Sequence, residues 1–316
     1  MSKFPFPQHT KLMFSGHETF PLRQLWLKKA HHQILLAIDK DRISAPKSVF
    51  SDDDAIERFG VGKNMVAAIK HWALACDIIQ DSDTEGGFEI GKIGEFLFGS
   101  YNSDAHDEFL ERDASVWLIH WLLSGRSPRT PTLYAIFNFI QNHSFTQQEV
   151  LSVLDSSSAF TNSTKSKTTV SRDVETCIRS YTSSHDTEDN IDSLLSSLSL
   201  LTITGKGQYR FNQGIQDALP DEVFAFALLD FWSRWEQETG TSQMTLSFSS
   251  TAHWYGSPGR VFKLSEDAVA DRLSRIAEIT NNYLAWTDQA GIRQVTRLGK
   301  LPFEQAKMNI LRGAYV

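Results

Sequence analysis

Residues 51–76 read SDDDAIERFGVGKNMVAAIKHWALAC, and the fold follows from how this stretch divides. Ser51 can cap a helix whose first turn holds Asp52, Asp53 and Asp54, where carboxylates suit the positive end of the helix dipole. That helix is short, because Phe59-Gly60-Val61-Gly62 interrupts it. A second helix begins near Lys63 and sets Met65, Ala68, Ile69, Trp72 and Cys76 on one face at spacings of three and four. Lys63, Ala67, Lys70 and His71 fall on the other face. A short helix, a glycine-bearing turn and a longer helix with a basic outer side make a helix-turn-helix, whose second helix can enter a major groove. Ile78-Ile79 and Phe88-Glu89-Ile90, joined by a polar loop containing Gly86-Gly87, supply a hairpin wing.

Further on the plan returns. Thr146-Gln147-Gln148-Glu149 is a capping box opening a helix through Val150, Leu151, Val153 and Leu154. After a serine-rich loop at 156–166 comes a helix with Val170, Val174, Cys177, Ile178 and Tyr181 inward and Lys167, Ser171, Arg172 and Arg179 outward. A polar loop around 185–190 and a leucine-rich helix (Leu194, Leu195, Leu198) lead to Leu201-Thr202-Ile203-Thr204 and Tyr209-Arg210-Phe211. These flank Gly205-Lys206-Gly207 and predict a second wing with a basic tip. Between the units, 113–123 and 134–140 are apolar nearly all round and predict buried helices. From Pro220 a strongly apolar helix runs to Trp235, and Ser265 caps another through Val269, Leu273 and Ile276. A strand pair, 284–286 with 294–296, precedes a basic tail. The expected class is therefore mainly α with small β-hairpin wings: tandem winged helix-turn-helix units plus a C-terminal helical region. The expected divisions are 1–125 for the N-terminal motif and first unit, 126–218 for the second, and 219–316 for the C-terminal helical domain with its basic tail.

Composition bounds the function. At 316 residues, 41% hydrophobic and 22% charged, the chain has room for two or three modest domains with their own cores. Residues 1–7 lack a secretory pattern, and no apolar run approaches the roughly 18 residues that cross a bilayer, so a cytoplasmic protein without a membrane partner is expected. Cys76 and Cys177 lie in apolar helical patterns far apart in sequence and read as reduced core residues. A net charge of −7 opposes binding to a polyanion, but the cations are clustered. Arg58, Lys63 and Lys70 share a stretch without acids, and Arg293, Arg297, Lys300, Lys307 and Arg312 are set against Glu304 alone.

Four motifs offer chemistry. His17-Glu18 with Arg23 can place a general base beside a phosphate-binding cation, or can satisfy backbone groups of a loop shaped by Gly16 and Pro21. The Asp52–Asp54 run suits either Mg²⁺ or a helix start. The turn Gly256-Ser257-Pro258-Gly259 can cradle a phosphate beside Arg260 and Lys263, although it lacks the ending of a nucleotide-binding loop. Asp230, in an apolar helix, needs a partner: a structural ion pair or a metal.

With these motifs the sequence resembles the SspB proteins of bacterial DNA phosphorothioation and anti-phage defence, members of which also occur beside sulfate-reductase-like subunits in BREX-type loci. The stretches that carry the resemblance are 14–23 (FSGHETFPLR), 26–29 (WLKK), 60–65 (GVGKNM), 117–123 (WLIHWLL), 219–224 (LPDEVF) and 256–265 (GSPGRVFKLS). The resemblance implies a Mg²⁺-dependent endonuclease that nicks one strand of double-stranded DNA so that sulfur can replace a non-bridging phosphate oxygen. It implies as partners a cysteine desulfurase, an ATPase and a sulfate-reductase-like subunit. No familiar nuclease signature accompanies it, so the site residues are candidates read from this chain.

Those candidates are Glu18 as base or metal ligand, His17 as its helper, and Asp230 as a second metal ligand. The phosphate and base contacts are Arg23, Lys28, Lys63, Asn64, Lys70, Lys167, Ser171, Arg172, Arg260 and Lys263. The alternatives are a non-catalytic winged-helix adaptor that recruits the sulfur-transfer complex to DNA, and a scaffold that binds proteins alone.

Overall fold

The turn expected at Gly60 forms as its glycine requires. In the computed structural model, which describes residues 12–38, 44–83, 86–126, 128–156, 166–182 and 193–316, Gly60 takes a left-handed φ of 63° and closes the helix Ala55–Phe59 by donating to the Ile56 carbonyl. A Cβ is disfavoured in that conformation, so glycine ends the helix at low cost. The helix Lys63–Ala75 follows, then an antiparallel hairpin of β1 (Ile79–Asp81) and β2 (Phe88–Ile90). Ala45 pairs with Phe88 on the other side of β2, after the opening helix Trp26–Ala37.

The second unit repeats this order with a complete third strand. Helix Pro131–Phe139 leads into β3 (Ser144–Thr146), helix Gln147–Ser156, helix Lys167–Arg179, and the hairpin of β4 (Leu201–Gly205) and β5 (Gln208–Phe211). The sheet runs β3-β5-β4, with Phe145 opposite Tyr209 and Leu201 opposite Phe211. The predicted capping box forms: Thr146 Oγ1 accepts from the Glu149 amide at 3.3 Å, and Glu149 accepts from the Thr146 amide at 2.7 Å. Residues 157–165 and 183–192, which hold most of the predicted serine-rich and polar loops, lie outside the described residues.

A third copy of the order stands where the sequence suggested a helical region. Helix Asp221–Thr239 is followed by β6 (Thr245–Ser247), helix Phe248–His253, helix Glu266–Ser274, and the hairpin of β7 (Leu284–Gln289) and β8 (Ile292–Arg297). Its sheet order, β6-β8-β7, matches that of the second unit. β6 is three residues long, too short for an alternation of apolar and polar residues to show in sequence. The chain is thus mainly helical with small antiparallel sheets.

The helix Asp113–Ser124 ties the units together, buried from Ala114 to Ser124 on every side as its apolar run requires. Trp117 and Trp121 are fully enclosed, each removing about 150–250 Å² from water and contributing roughly 4–6 kcal/mol. Between them His120 bonds the Tyr181 hydroxyl at 2.6 Å and the Val261 carbonyl at 3.0 Å, joining the second and third units. Burial holds its imidazole neutral, with the pKa lowered to about 3. Cys76 and Cys177 are buried free thiols. No helix among the described residues is long and apolar enough to cross a membrane.

Candidate functional site

The loop of residues 15–22 lies between the longer helices of the first two units. Ser15, Glu18 and Thr19 all have left-handed φ values of 65°, 48° and 68°, a cluster that non-glycine residues adopt only when their surroundings hold them. The clamps come from both helices. Asp173 Oδ1, on Lys167–Arg179, accepts from the Ser15 amide and from His17 Nε2, both at 2.7 Å, and Arg179 donates to the Thr19 carbonyl at 2.7 Å. From Lys63–Ala75, Trp72 Nε1 donates to the Phe20 carbonyl at 3.0 Å, and the His17 ring stacks on Trp72 at 5.6 Å. Gly16 fits because a Cβ there would lie 2.3 Å from His71 Nδ1.

His17 and Glu18 therefore point to different environments. His17 is buried, and its Nδ1 accepts from the Thr19 amide, so Nε2 carries the hydrogen given to Asp173. Burial pushes the Asp173 carboxyl up, but the His17 bond, with that from the Ser15 amide, outweighs it and leaves the pKa below its ordinary value. Glu18, at the outer turn of the same loop, is exposed and makes no side-chain bond to any described residue. The expected pair of base and helper is thus a buried imidazole braced by Asp173 with an exposed carboxylate beside it.

Asp173 was missed in the sequence although a signal existed. It lies three residues after Val170 and four before Cys177, so a charged residue occupies the inward stripe of an amphipathic helix. His71, expected on the outer face of its helix, is buried instead against Gly16 and His17. Its imidazole bonds nothing among the described residues, and burial lowers its pKa to about 3.

The proposed contact residues divide by burial. Lys63 and Asn64 are exposed at the start of their helix, Lys70 is half-buried, and none makes a hydrogen bond or ion pair among the described residues. Lys167 and Arg172 are exposed and equally free of ion pairs, whereas Ser171 is half-buried and accepts a long 3.4 Å bond from Gln147. The second wing adds exposed Lys206 and Arg210, which the sequence marked only as a basic tip. Arg23 lies half-buried over Trp26, and Lys28 is engaged by Glu108 at 2.8 Å and the face of Phe109.

Three expectations are corrected. Lys263 is buried, donates to the Phe137 carbonyl at 2.8 Å and sits 3.9 Å from the centre of the Phe211 ring. Burial, then Arg260, lowers its pKa to about 7, and it cannot reach a DNA phosphate. Arg260 is spent on carbonyls of Asn138 and His253, both at 2.6 Å, so the 256–260 turn staples the second and third units. Asp230 is the centre of an ion cluster. Arg126 donates to it from Nε and Nη2 at 3.1 and 2.6 Å, Lys307 at 2.9 Å, Arg234 at 3.3 Å and Trp121 at 3.0 Å. A carboxylate so enclosed by cations has no lone pair for a metal, and Lys307 leaves the presumed basic tail to join it.

The Asp52–Asp54 run makes no side-chain cap. Asp52 and Asp54 pair with Arg58 at 3.6 and 2.9 Å.

Mg²⁺ takes oxygen donors and keeps several waters, held by one or two carboxylates and substrate phosphates. His17, Asp173 and Cys177 bring donor atoms within 4.8 Å of one another, but this buried set does not fit it. Burial drives the Cys177 thiol pKa well up, and the 2.7 Å bond between His17 and Asp173 closes the space between them. Glu18 is an exposed carboxylate beside that set, open to an ion that would draw its remaining ligands from outside the chain.

Three repeats of one helix–strand–helix–helix–hairpin order, two with open cationic helices flanking a clamped loop, define a multi-unit, mainly helical protein. The profile of the family described as a protein of unknown function, DUF4007, matches residues 14–315, and the chain belongs to that family. Two solved structures are similar over nearly the whole length. "Magnesium ion-bound SspB crystal structure" is 25% identical, with a TM-score of 0.81 over 100% of this chain and 90% of that chain. "SspB crystal structure" is 26% identical, with a TM-score of 0.80 over 99% and 90%. No curated protein matches.

Proposed function

We propose that this chain binds double-stranded DNA through the first two units and nicks one strand in the manner of the SspB proteins it resembles. The repeated order, with its strand between the first and second helices and its hairpin after the third, is that of a winged helix-turn-helix. The observation that carries the reading is the placement of free cations. Lys63, Lys70, Lys167 and Arg172 are exposed or half-buried without ion pairs on the two helices that clamp the Glu18 loop, and Lys206 is exposed at the wing tip. In the third unit the corresponding helix, Glu266–Ser274, exposes Glu266, Asp267 and Asp271 and would repel a polyanion. An acidic protein can in this way grip DNA on one part of its surface.

Glu18, with a strand phosphate, would hold Mg²⁺, an ion present in a similar structure. Bound there, the ion would neutralise the phosphodiester and acidify a water. The chain's own part is to keep Glu18 at the outer turn through the His17–Asp173 bond, and to neutralise flanking phosphates with Lys63, Lys70, Lys167 and Arg172. A cysteine desulfurase, an ATPase and a sulfate-reductase-like subunit belong to this proposal as partners that act on the nick.

Relaxation of supercoiled plasmid in Mg²⁺ tests it. Glu18→Ala should abolish nicking while retaining the gel shift, and Lys63→Glu with Arg172→Glu should lose the shift, each removed contact lowering the salt slope by about 1. The enclosure of Asp230 and the lack of a multi-carboxylate cluster among the described residues favour a second reading, the non-catalytic adaptor. It predicts a gel shift insensitive to EDTA and no relaxation in any variant.

A further inference from the structure

We infer that the cleft around Asp230 is a binding site for a phosphate-bearing, ring-containing anion of nucleotide size. The cleft lies where the three units meet, with Asp77 following the helix of the first, Tyr134 from the second, and Arg234 and Trp235 from the third. Its volume is about 400 Å³, within the range of about 300–1,000 Å³ that small-molecule sites occupy.

Four cations, Lys92, Arg126, Arg234 and Lys307, line the cleft beside four carboxyls, Asp77, Asp230, Glu238 and Glu304, and three of the cations share one of those carboxyls. Arg126, Arg234 and Lys307 all converge on the single buried carboxylate of Asp230, and Lys92 stands at the rim. Lys307 takes Glu304 as a second partner at 2.6 Å, but Glu304 is half exposed and shared with Lys92. The other two lining carboxyls, Asp77 and Glu238, are pushed by burial towards their neutral forms.

Hydrogen-bonding capacity is also left over. Arg126 donates from Nε and Nη2, and Arg234 only from Nε. Nη2 of Arg234 is buried and bonds nothing among the described residues. A guanidinium carries about five N–H donors in a planar fork matched to phosphate, so two such groups with idle donors beside a recess suit a phosphoryl group. Tyr134, Trp235 and Tyr255 provide flat apolar wall on which a base can stack. A bare inorganic anion would leave that wall unused, and an apolar ligand would leave the idle guanidinium donors unmet. The inference stands whether or not the chain cuts DNA, because a free mononucleotide and an unpaired nucleotide of a strand present the same phosphate and ring.

Calorimetric titration of the full chain with deoxyadenosine monophosphate, inorganic phosphate and adenosine tests it. The monophosphate should bind at least about tenfold more tightly than either fragment, a difference of about 1.4 kcal/mol. Arg234→Gln, which loses one 3.3 Å bond and leaves Arg126 and Lys307 on Asp230, should weaken it about tenfold or more. Should that variant melt early, Trp235→Ala gives an independent check: it should retain phosphate binding and lose the preference for the monophosphate. A duplex with one bulged nucleotide, if it binds more tightly than a paired one only when Arg234 is present, assigns the natural ligand to a DNA strand; equal binding assigns it to a free nucleotide. Absence of monophosphate binding, or wild-type affinity in folded Arg234→Gln and Trp235→Ala, overturns the inference.

Discussion

Replacing Asp230 by asparagine separates a structural carboxylate from a metal ligand. The side chain is 3% exposed and faces Arg126, Lys307 and Arg234 at 2.6, 2.9 and 3.3 Å. Asparagine keeps the shape but leaves three cations around a neutral group, and breaking a buried ion pair from one side costs about 3–5 kcal/mol. Over 316 residues, at about 2.1 cal/mol/K of unfolding entropy per residue, that is a fall in Tm of roughly 5–8 °C. The pH dependence follows from sign. Burial pushes Asp230 up, but the three cations hold its pKa well below the ordinary value, so its stabilisation is present above the unfolded carboxyl value of about 3.9 and is lost as pH falls through the folded value. Melts of wild type and Asp230→Asn should therefore differ by a constant amount above about pH 5 and converge in stronger acid. The measurement is differential scanning calorimetry from pH 3 to 8, with and without Mg²⁺ and EDTA. An unchanged Tm without metal, together with loss of a Mg²⁺-dependent shift, would refute the ion-cluster account.

The remaining predictions concern the clamped loop. Gly16→Ala, whose Cβ would stand 2.3 Å from His71 Nδ1, should destabilise by about 1–3 kcal/mol in urea unfolding, and a second change, His71→Ala, should recover part of that loss. His71→Leu removes a group with a folded pKa of about 3 against 6.5 unfolded. Stability that wild type loses below about pH 6.5, up to about 1.4 kcal/mol per pH unit for this group, should be spared, so the variant's advantage grows as pH drops. A difference independent of pH would contradict the buried neutral imidazole. Asp173→Asn should cost about 1–3 kcal/mol and expose residues 14–22 to limited proteolysis, since it weakens bonds to both His17 and the Ser15 amide.

Much of the architecture was written locally. The capping box at Thr146–Glu149, the Ser265 cap, the glycine break at Gly60 and the all-round apolar run from Ala114 to Leu123 each depend on residues within a few positions of one another. Local pattern decides helix starts, stops and faces because the relevant contacts lie within one or two turns. The same reasoning found both hairpins of the first two units and the pair 284–297, yet it did not reveal that β6 completes a third sheet.

By itself, the sequence determined most of the helices and their apolar faces, placed the two thiols in the core, and set Lys63, Lys167 and Arg172 at outward helix positions. Tertiary structure alone decided the partners. It turned His71 inward, joined His17 to Asp173 across 156 residues, spent Arg260 and Lys263 on carbonyls, and gathered Arg126 and Lys307 around Asp230 from distant parts of the chain. The physical reason is that the fate of a charged side chain depends on which groups share its desolvated surroundings, and those arrive from distant parts of the chain.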